Sequence, residues 1–204
     1  MTLIAGIIAF AAVQWQLWDQ RRTSRREQDR QRRAIATALV FEIDAFYRHH
    51  LGQVRDLLAL FERSHQLPGT VPPSAHGFVV YHANASRLGD LPRELAGKIV
   101  RFYGMAEHYN VLREDYRAHL EREARQDQGV AQTQFRQLKN LISKLELCAY
   151  ELSKEFCSYL GLPFDPSVVE IAGTNIKTLE AEVAALDKLE AANVQQISAY
   201  AQTH

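Results

Sequence analysis

The sequence predicts an all-α protein: an N-terminal membrane helix that continues into a long helix of an antiparallel helical bundle. Three observations carry this. Apolar residues recur at steps of three and four over most of the 204 residues, which is the spacing of one helix face. The one stretch with a β-like start, Phe78–Tyr81, has no second strand anywhere in the chain to pair with. Met1–Trp18 holds no charged side chain, and an arginine-rich tract follows it at once.

The length suits one domain with an appendage. Residues 1–18 read as a transmembrane or membrane-interfacial anchor, 19–33 as an Arg-rich juxtamembrane collar, and 34–204 as a cytoplasmic helical bundle. A body of about 170 residues buries roughly 70% of its unfolded surface, so it needs neither disulfide nor metal to fold. Charged residues at 24% and hydrophobic residues at 47% exclude long disorder. No cofactor is expected.

The net charge is zero but unevenly spread. In 19–33, seven arginines against Asp19, Glu27 and Asp29 give +4, so 34–204 carries −4. An acidic body argues against nucleic acid as a partner. The collar suits anionic lipid headgroups, because it directly follows an apolar run. Cys148 and Cys157, nine residues apart on one helix, point to opposite sides about 13 Å apart in rise. They cannot pair within that helix, since a disulfide needs Cα atoms within about 7 Å.

Three readings compete for Met1–Trp18. As a helix it reaches about 27 Å, just under the roughly 30 Å hydrocarbon core. Gln14 and Gln16 cut the purely apolar part to Leu3–Val13, 11 residues. A secretory signal would carry its positive charge before the apolar run, whereas here it follows. A core helix would rarely run straight into arginines. Trp15 and Trp18 decide for the membrane, because amphipathic aromatics gather at headgroup depth with arginines on the cytoplasmic side. The membrane-binding residues are then Trp15, Trp18, Arg21, Arg22, Arg25 and Arg26. The N-terminus lies outside and the body in the cytoplasm, single-pass. Ala5 and Ala9 make a small-xxx-small pattern through which anchors could pack.

After the collar, Val40, Ile43, Tyr47, Leu51, Val54, Leu58 and Phe61 keep helical time. One rod should therefore run to about Gln66. Leu67–Ser74, with three prolines, is a loop. A short helix follows and ends at Gly89, a C′ glycine. Asp90-Leu91-Pro92-Arg93-Glu94 starts the next helix, with Pro in its first turn. That helix should bury Leu95, Ile99, Phe102, Ala106, Tyr109, Tyr116 and Leu120, and end in Glu121–Gly129. The third long helix carries an unbroken seam: Ala131, Phe135, Leu138, Ile142, Leu145, Ala149, Leu152, Phe156 and Tyr159. Gly161–Pro166 stops it. Ser167–Glu170 is a capping-box pattern, and a last helix carries Ile176, Leu179, Val183, Leu186, Val194, Ile197 and Tyr200. Four long amphipathic helices with short connections imply an antiparallel bundle.

No Walker loop, GxGxxG, HExxH, CxxC or GxSxG pattern occurs. His49 and His50 diverge by about 100°, so they cannot share a metal. The segment Arg113-Glu114-Asp115-Tyr116-Arg117-Ala118-His119 resembles the Arg-x(4–6)-His motif of the HEPN helical ribonucleases, and Arg101 with His108 matches the spacing too. The resemblance would make Arg113 and His119 catalytic, acting on an RNA phosphodiester. With 18 arginines and 8 histidines, roughly two such matches arise by chance. Glu114 stands where the family carries a small polar residue and would repel a phosphate.

The run from Tyr81-His82-Ala83-Asn84 through Leu91-Pro92 to Ile99-Val100-Arg101-Phe102-Tyr103 is similar to a segment of small uncharacterised bacterial membrane-anchored helical proteins. It covers about a fifth of the chain and implies no activity. It does imply the bacterial inner membrane as location. Asn84, Arg87 and Arg101 are its polar residues, expected to cap the short helix and bridge it to its neighbour through Asp90 or Glu94. The function expected is a membrane-anchored interaction or adaptor module that meets a protein partner or its own copies. The alternatives are an oligomeric membrane effector or pore, as in phage defence, and the HEPN-like ribonuclease.

Overall fold

The computed structural model describes residues 2–48, 77–122 and 128–164, the helical positions 53, 57 and 60, and part of 180–192. Every regular element among them is helical, so the all-α expectation is met. Helix α1 runs Thr2–Phe46, and Tyr47 and Arg48 continue it in a wider π-type turn. The short α2, Val79–Asn84, tightens directly into a 3-10 segment, Ala85–Asp90. Then come α3, Arg93–Arg122, and α4, Gln128–Leu160. Residues 183–188 are helical as well.

Helices α3 and α4 form an antiparallel hairpin. Lys98 pairs with Glu155 toward one end, and the Tyr116 and Phe135 rings meet at 5.8 Å toward the other. The α4 side is the expected seam: Phe135, Leu138, Ile142, Leu145, Ala149, Leu152 and Phe156 are all buried. Their steps of four and three keep one stripe facing the partner helix over six turns. The α3 side buries the expected Leu95, Ile99, Phe102, Ala106, Tyr109 and Tyr116, and adds Tyr103 and Arg113. Helix α4 ends in a Schellman motif. Gly161 takes φ 71°, and the Leu162 N–H donates to the Cys157 carbonyl at 2.8 Å. A left-handed residue at this position lets the last carbonyls find donors.

Among the described side chains of α1, those of its last part belong to this core. Ile35, Ala36, Leu39, Ile43 and Phe46 are buried, while Val40 and Tyr47 lie at the margin. The expected stripe through Val40, Ile43 and Tyr47 is therefore rotated by one residue. Either phase satisfies steps of three and four, and the packing of Phe46 against Phe78, Phe102 and Tyr109 selects the observed one. From Val13 to Gln31 every residue of α1 is exposed.

Several expectations are corrected. Among the described residues no helix is long and apolar enough to cross a membrane. The reason lies in the residues: Gln14 and Gln16 leave only Leu3–Val13 without a polar side chain. Gly89 is no left-handed C′ residue, since the chain continues through it in the 3-10 segment and Gly161 has the only positive-φ glycine conformation among the described residues. Gly129 lies inside α4 and does not end α3. Pro92 sits one position ahead of α3, where its carbonyl accepts the first helical bond, from Ala96 N–H at 2.9 Å. Of the expected continuation of the rod to Gln66, positions 53, 57 and 60 are described and are helical; its other positions after Arg48, the 67–74 loop, the His49-His50 pair and the Ser167–Glu170 capping box lie outside the described residues.

Candidate functional site

Among the described residues, polar and aromatic chemistry gathers at three places: the exposed part of α1, the junction around Glu42, and a groove between α3 and α4.

On α1, Trp15 and Trp18 are three residues apart, so their rings share a face. The centroids are 5.6 Å apart, and the rings are 70% and 52% exposed. The Arg22 guanidinium lies 5.2 Å over the Trp18 ring, a cation–π contact one turn on. At 100° a residue, Trp15, Trp18, Arg22, Arg25 and Arg26 fall within about 100° of one another, with Arg21 beside them. The structure thus gathers five of the six expected membrane-binding residues into one exposed stripe. Around it the helix has only weak local support, a Gln31–Glu27 contact of 3.5 Å and an Arg32–Asp29 pair of 3.7 Å. Such exposed pairs contribute at most a few tenths of a kcal/mol each.

The junction joins α1, α2 and α3. The Glu42 carboxylate accepts from the backbone N–H groups of Val80 at 2.8 Å and Tyr81 at 3.0 Å, and from the Tyr103 hydroxyl at 2.7 Å. Phe78 occupies the N-cap position of α2 and supplies no side-chain cap, so Glu42 takes that role from another helix. Tyr81 stacks on Tyr103 with centroids 4.1 Å apart and planes 12° apart. Burial pushes the Tyr103 hydroxyl far above its ordinary pKa, reinforced by its hydrogen bond to Glu42. Tyr81 is raised as well, by burial first and then by Glu107. Arg87 bridges to α1 rather than through Asp90: an Nη donates to Gln31 Oε1 at 2.9 Å, while the Nε–Asp90 pair at 3.9 Å stays within the 3-10 segment. Asn84 instead closes its own helix by donating to the Val80 carbonyl at 2.8 Å.

The groove is about 490 Å3 in volume. From α3 it takes Arg101, Met105, His108 and Leu112, spaced i, i+4, i+7 and i+11. From α4 it takes Gln137, Asn140, Leu141 and Lys144, spaced i, i+3, i+4 and i+7. Both sets are single helix faces. Lys144 Nζ lies 3.2 Å from Asp187 Oδ1.

The two Arg/His spacings fare differently. Arg101 and His108 share this groove. Arg113 and His119, six residues apart, point about 120° apart on α3. Arg113 is 1% exposed, with its guanidinium carbon 5.9 Å from the Tyr109 centroid. It belongs to the core rather than to a surface that meets RNA. Cys148 is half-buried and free, and burial pushes its thiol up to about 11, which makes it a poor nucleophile. Among the described residues no three His, Cys, Asp or Glu side chains converge as a metal site.

The Glu42 junction and the groove escaped the sequence reading. Both depend on which faces meet across helices, and single-helix spacing does not encode that. The sequence signal available for the groove was the 101/105/108/112 face itself. Comparisons with protein-family models, with characterised proteins and with solved structures find no match to this chain.

Proposed function

We propose that the protein is a membrane-associated interaction module. The tip of α1 enters one leaflet of an anionic bilayer, the arginine collar sits among headgroups, and the helical body is held at the cytoplasmic face to engage a protein partner. One observation supports this above the others: α1 is a single helix from Thr2 to Phe46, and along it every residue from Val13 to Gln31 is exposed, with core burial starting at Ile35 after that stretch. A lone helix in water is marginal, and one that exposes Trp15, Leu17 and Trp18 is more so. A surface that takes the tryptophans and the arginines stabilises it.

The order of residues along α1 favours insertion end-on. A helix lying in the interface plane needs an apolar face along its whole length. Here the apolar run, the tryptophans and the arginines follow one another along the axis. The 11 residues Leu3–Val13 reach about 16 Å, close to half of a roughly 30 Å hydrocarbon core. The collar's +4 charge adds about 1 kcal/mol per net charge at an anionic surface, screened by salt.

The test is flotation of the intact protein with vesicles. It should float with vesicles containing phosphatidylglycerol, float poorly with pure phosphatidylcholine, and lose affinity when Arg22, Arg25 and Arg26 are changed to Gln. Protein that stays at the bottom of the gradient with every lipid contradicts the reading. Dye released from the vesicles on binding would point to a pore instead.

A further inference from the structure

The α3/α4 groove has a composition that the fold does not require. Its floor is apolar: Met105, Leu112 and Leu141 are half-buried at the edge of the core. Its rim carries Arg101, Lys144 and the imidazole of His108, and none of its described lining residues is a carboxylate, although residues 34–204 carry −4. Among the described residues neither Arg101 nor His108 makes an ion pair. Lys144 is engaged, and its partner is informative. The Asp187 carboxylate that meets it at 3.2 Å stands within helical residues 183–188. The chain thus already seats a helical carboxylate on one cation of the groove.

The geometry points to an acidic amphipathic helix of a partner protein as the occupant of this groove. From Arg101 to Leu112 the α3 wall extends about 16 Å, room for roughly three helical turns. Helix-in-groove recognition reads apolar anchors at i, i+3 or i+4, and i+7, which the floor at Met105, Leu112 and Leu141 can take. Acidic residues flanking those anchors meet Arg101, His108 and Lys144. A bare phosphate would leave the apolar floor uncovered, and a nucleic acid would meet the negative body. Asp187 shows the mode and competes for the same cation, so a partner helix displaces this contact. The inference supplies the partner side of the proposed module and does not rest on its lipid side, because vesicle binding reads α1 and the groove is read separately.

The test uses the intact protein and a fluorescein-labelled peptide of residues 177–192 as probe. That peptide carries Glu180, Glu182, Asp187 and Glu190 beside Leu179, Val183 and Leu186. Fluorescence anisotropy should show saturable binding that weakens as salt rises. Arg101→Glu and His108→Glu, both at exposed positions, should each weaken it by about tenfold. A peptide with Gln and Asn in place of its four acids should lose as much. Asp187→Asn in the protein, which removes the internal competitor, should tighten it. Vesicle flotation should be the same for Arg101→Glu as for the parent. No binding to either the parent or the Asp187→Asn protein overturns the assignment, as does binding indifferent to both groove variants. Tighter binding of a short single-stranded RNA than of the peptide, lost on Arg101→Glu, would give the groove to phosphate and also overturn it.

Discussion

The Tyr103 hydroxyl donates a 2.7 Å hydrogen bond to Glu42, and through that carboxylate three helices share one polar centre. The same group accepts the N–H of Val80, 38 positions away in sequence, and of Tyr81. Tyr103 in turn belongs to an aromatic cluster with Phe46, Phe78 and Phe102, joined by edge-to-face contacts of 5.0 to 6.0 Å. In such a setting a carboxylate without its donors, or donors without the carboxylate, would be strongly penalised.

Replacing Glu42 by Ala leaves three donors without their acceptor. A loss of about 2–3 kcal/mol is expected, combining a lost helix cap with charged hydrogen bonds. Tyr103→Phe removes one donor and should cost about 1 kcal/mol. The double variant should lose less than the sum, because both changes remove the same bond. Urea denaturation of the four proteins measures this. Additive losses would mean that Glu42 and Tyr103 act independently.

The buried tyrosines set an alkaline limit. Burial pushes the Tyr116 hydroxyl up to about 12 from an ordinary 10.0, and Tyr103 is raised further. An unfolded chain loses these protons first as pH rises past 10, so the folded state then binds more protons and stability falls with pH. The contribution is complete below pH 10 and declines between 10 and 12. Tyr116 alone accounts for about 2–3 kcal/mol over that window. Denaturant midpoints should be flat up to about pH 9 and fall steeply above 10, with a smaller fall in Tyr116→Phe.

Cys148 should be slow toward alkylation in the folded protein. A thiol raised from 9.0 to about 11 has its thiolate fraction near neutrality cut by about 100-fold. In a Cys157→Ser background, iodoacetamide should modify Cys148 slowly in buffer and rapidly in urea. Equal rates in the two would contradict the burial of this side chain.

Gly161 holds a left-handed turn at φ 71° that an L side chain adopts at a cost of about 1–2 kcal/mol. No neighbouring atom lies within 4 Å of an added Cβ, so the penalty for Gly161→Ala should be this backbone term alone, about 1 kcal/mol by thermal or urea denaturation. Gly104→Ala, in the middle of α3 and equally free of neighbours, should instead stabilise by up to about 1 kcal/mol.

How much was legible follows from where each feature's information lies. The α4 seam is one helix's own periodicity, and every described residue expected there is buried or at the margin. The α1 stripe shifted by one residue, because steps of three and four tolerate two phases and only the contacts of Phe46 choose between them. Tyr103 sits beside Phe102, off the 95/99/102/106/109 steps, and the guanidinium of Arg113 masks its place on them, although both are fully buried. Glu42 looks like any surface glutamate in sequence, and its role appears only when α2 is brought against α1. The α3/α4 groove likewise needs two faces in register. The apolar run of α1 is legible in composition, and so is its limit: Gln14 and Gln16 mark where it stops, which is why no described helix is long and apolar enough to cross a membrane.

The central claim is that the tip of α1 enters one leaflet, and the chain's tryptophans test it directly. There are only two, Trp15 and Trp18, both exposed on the stripe beside Arg22. Their emission should shift to the blue when vesicles containing phosphatidylglycerol are added. Lipids brominated near the headgroup end of the acyl chain should quench it more strongly than lipids brominated near the chain terminus. Emission that stays at the water-exposed maximum, with no quenching by either lipid, would contradict the account.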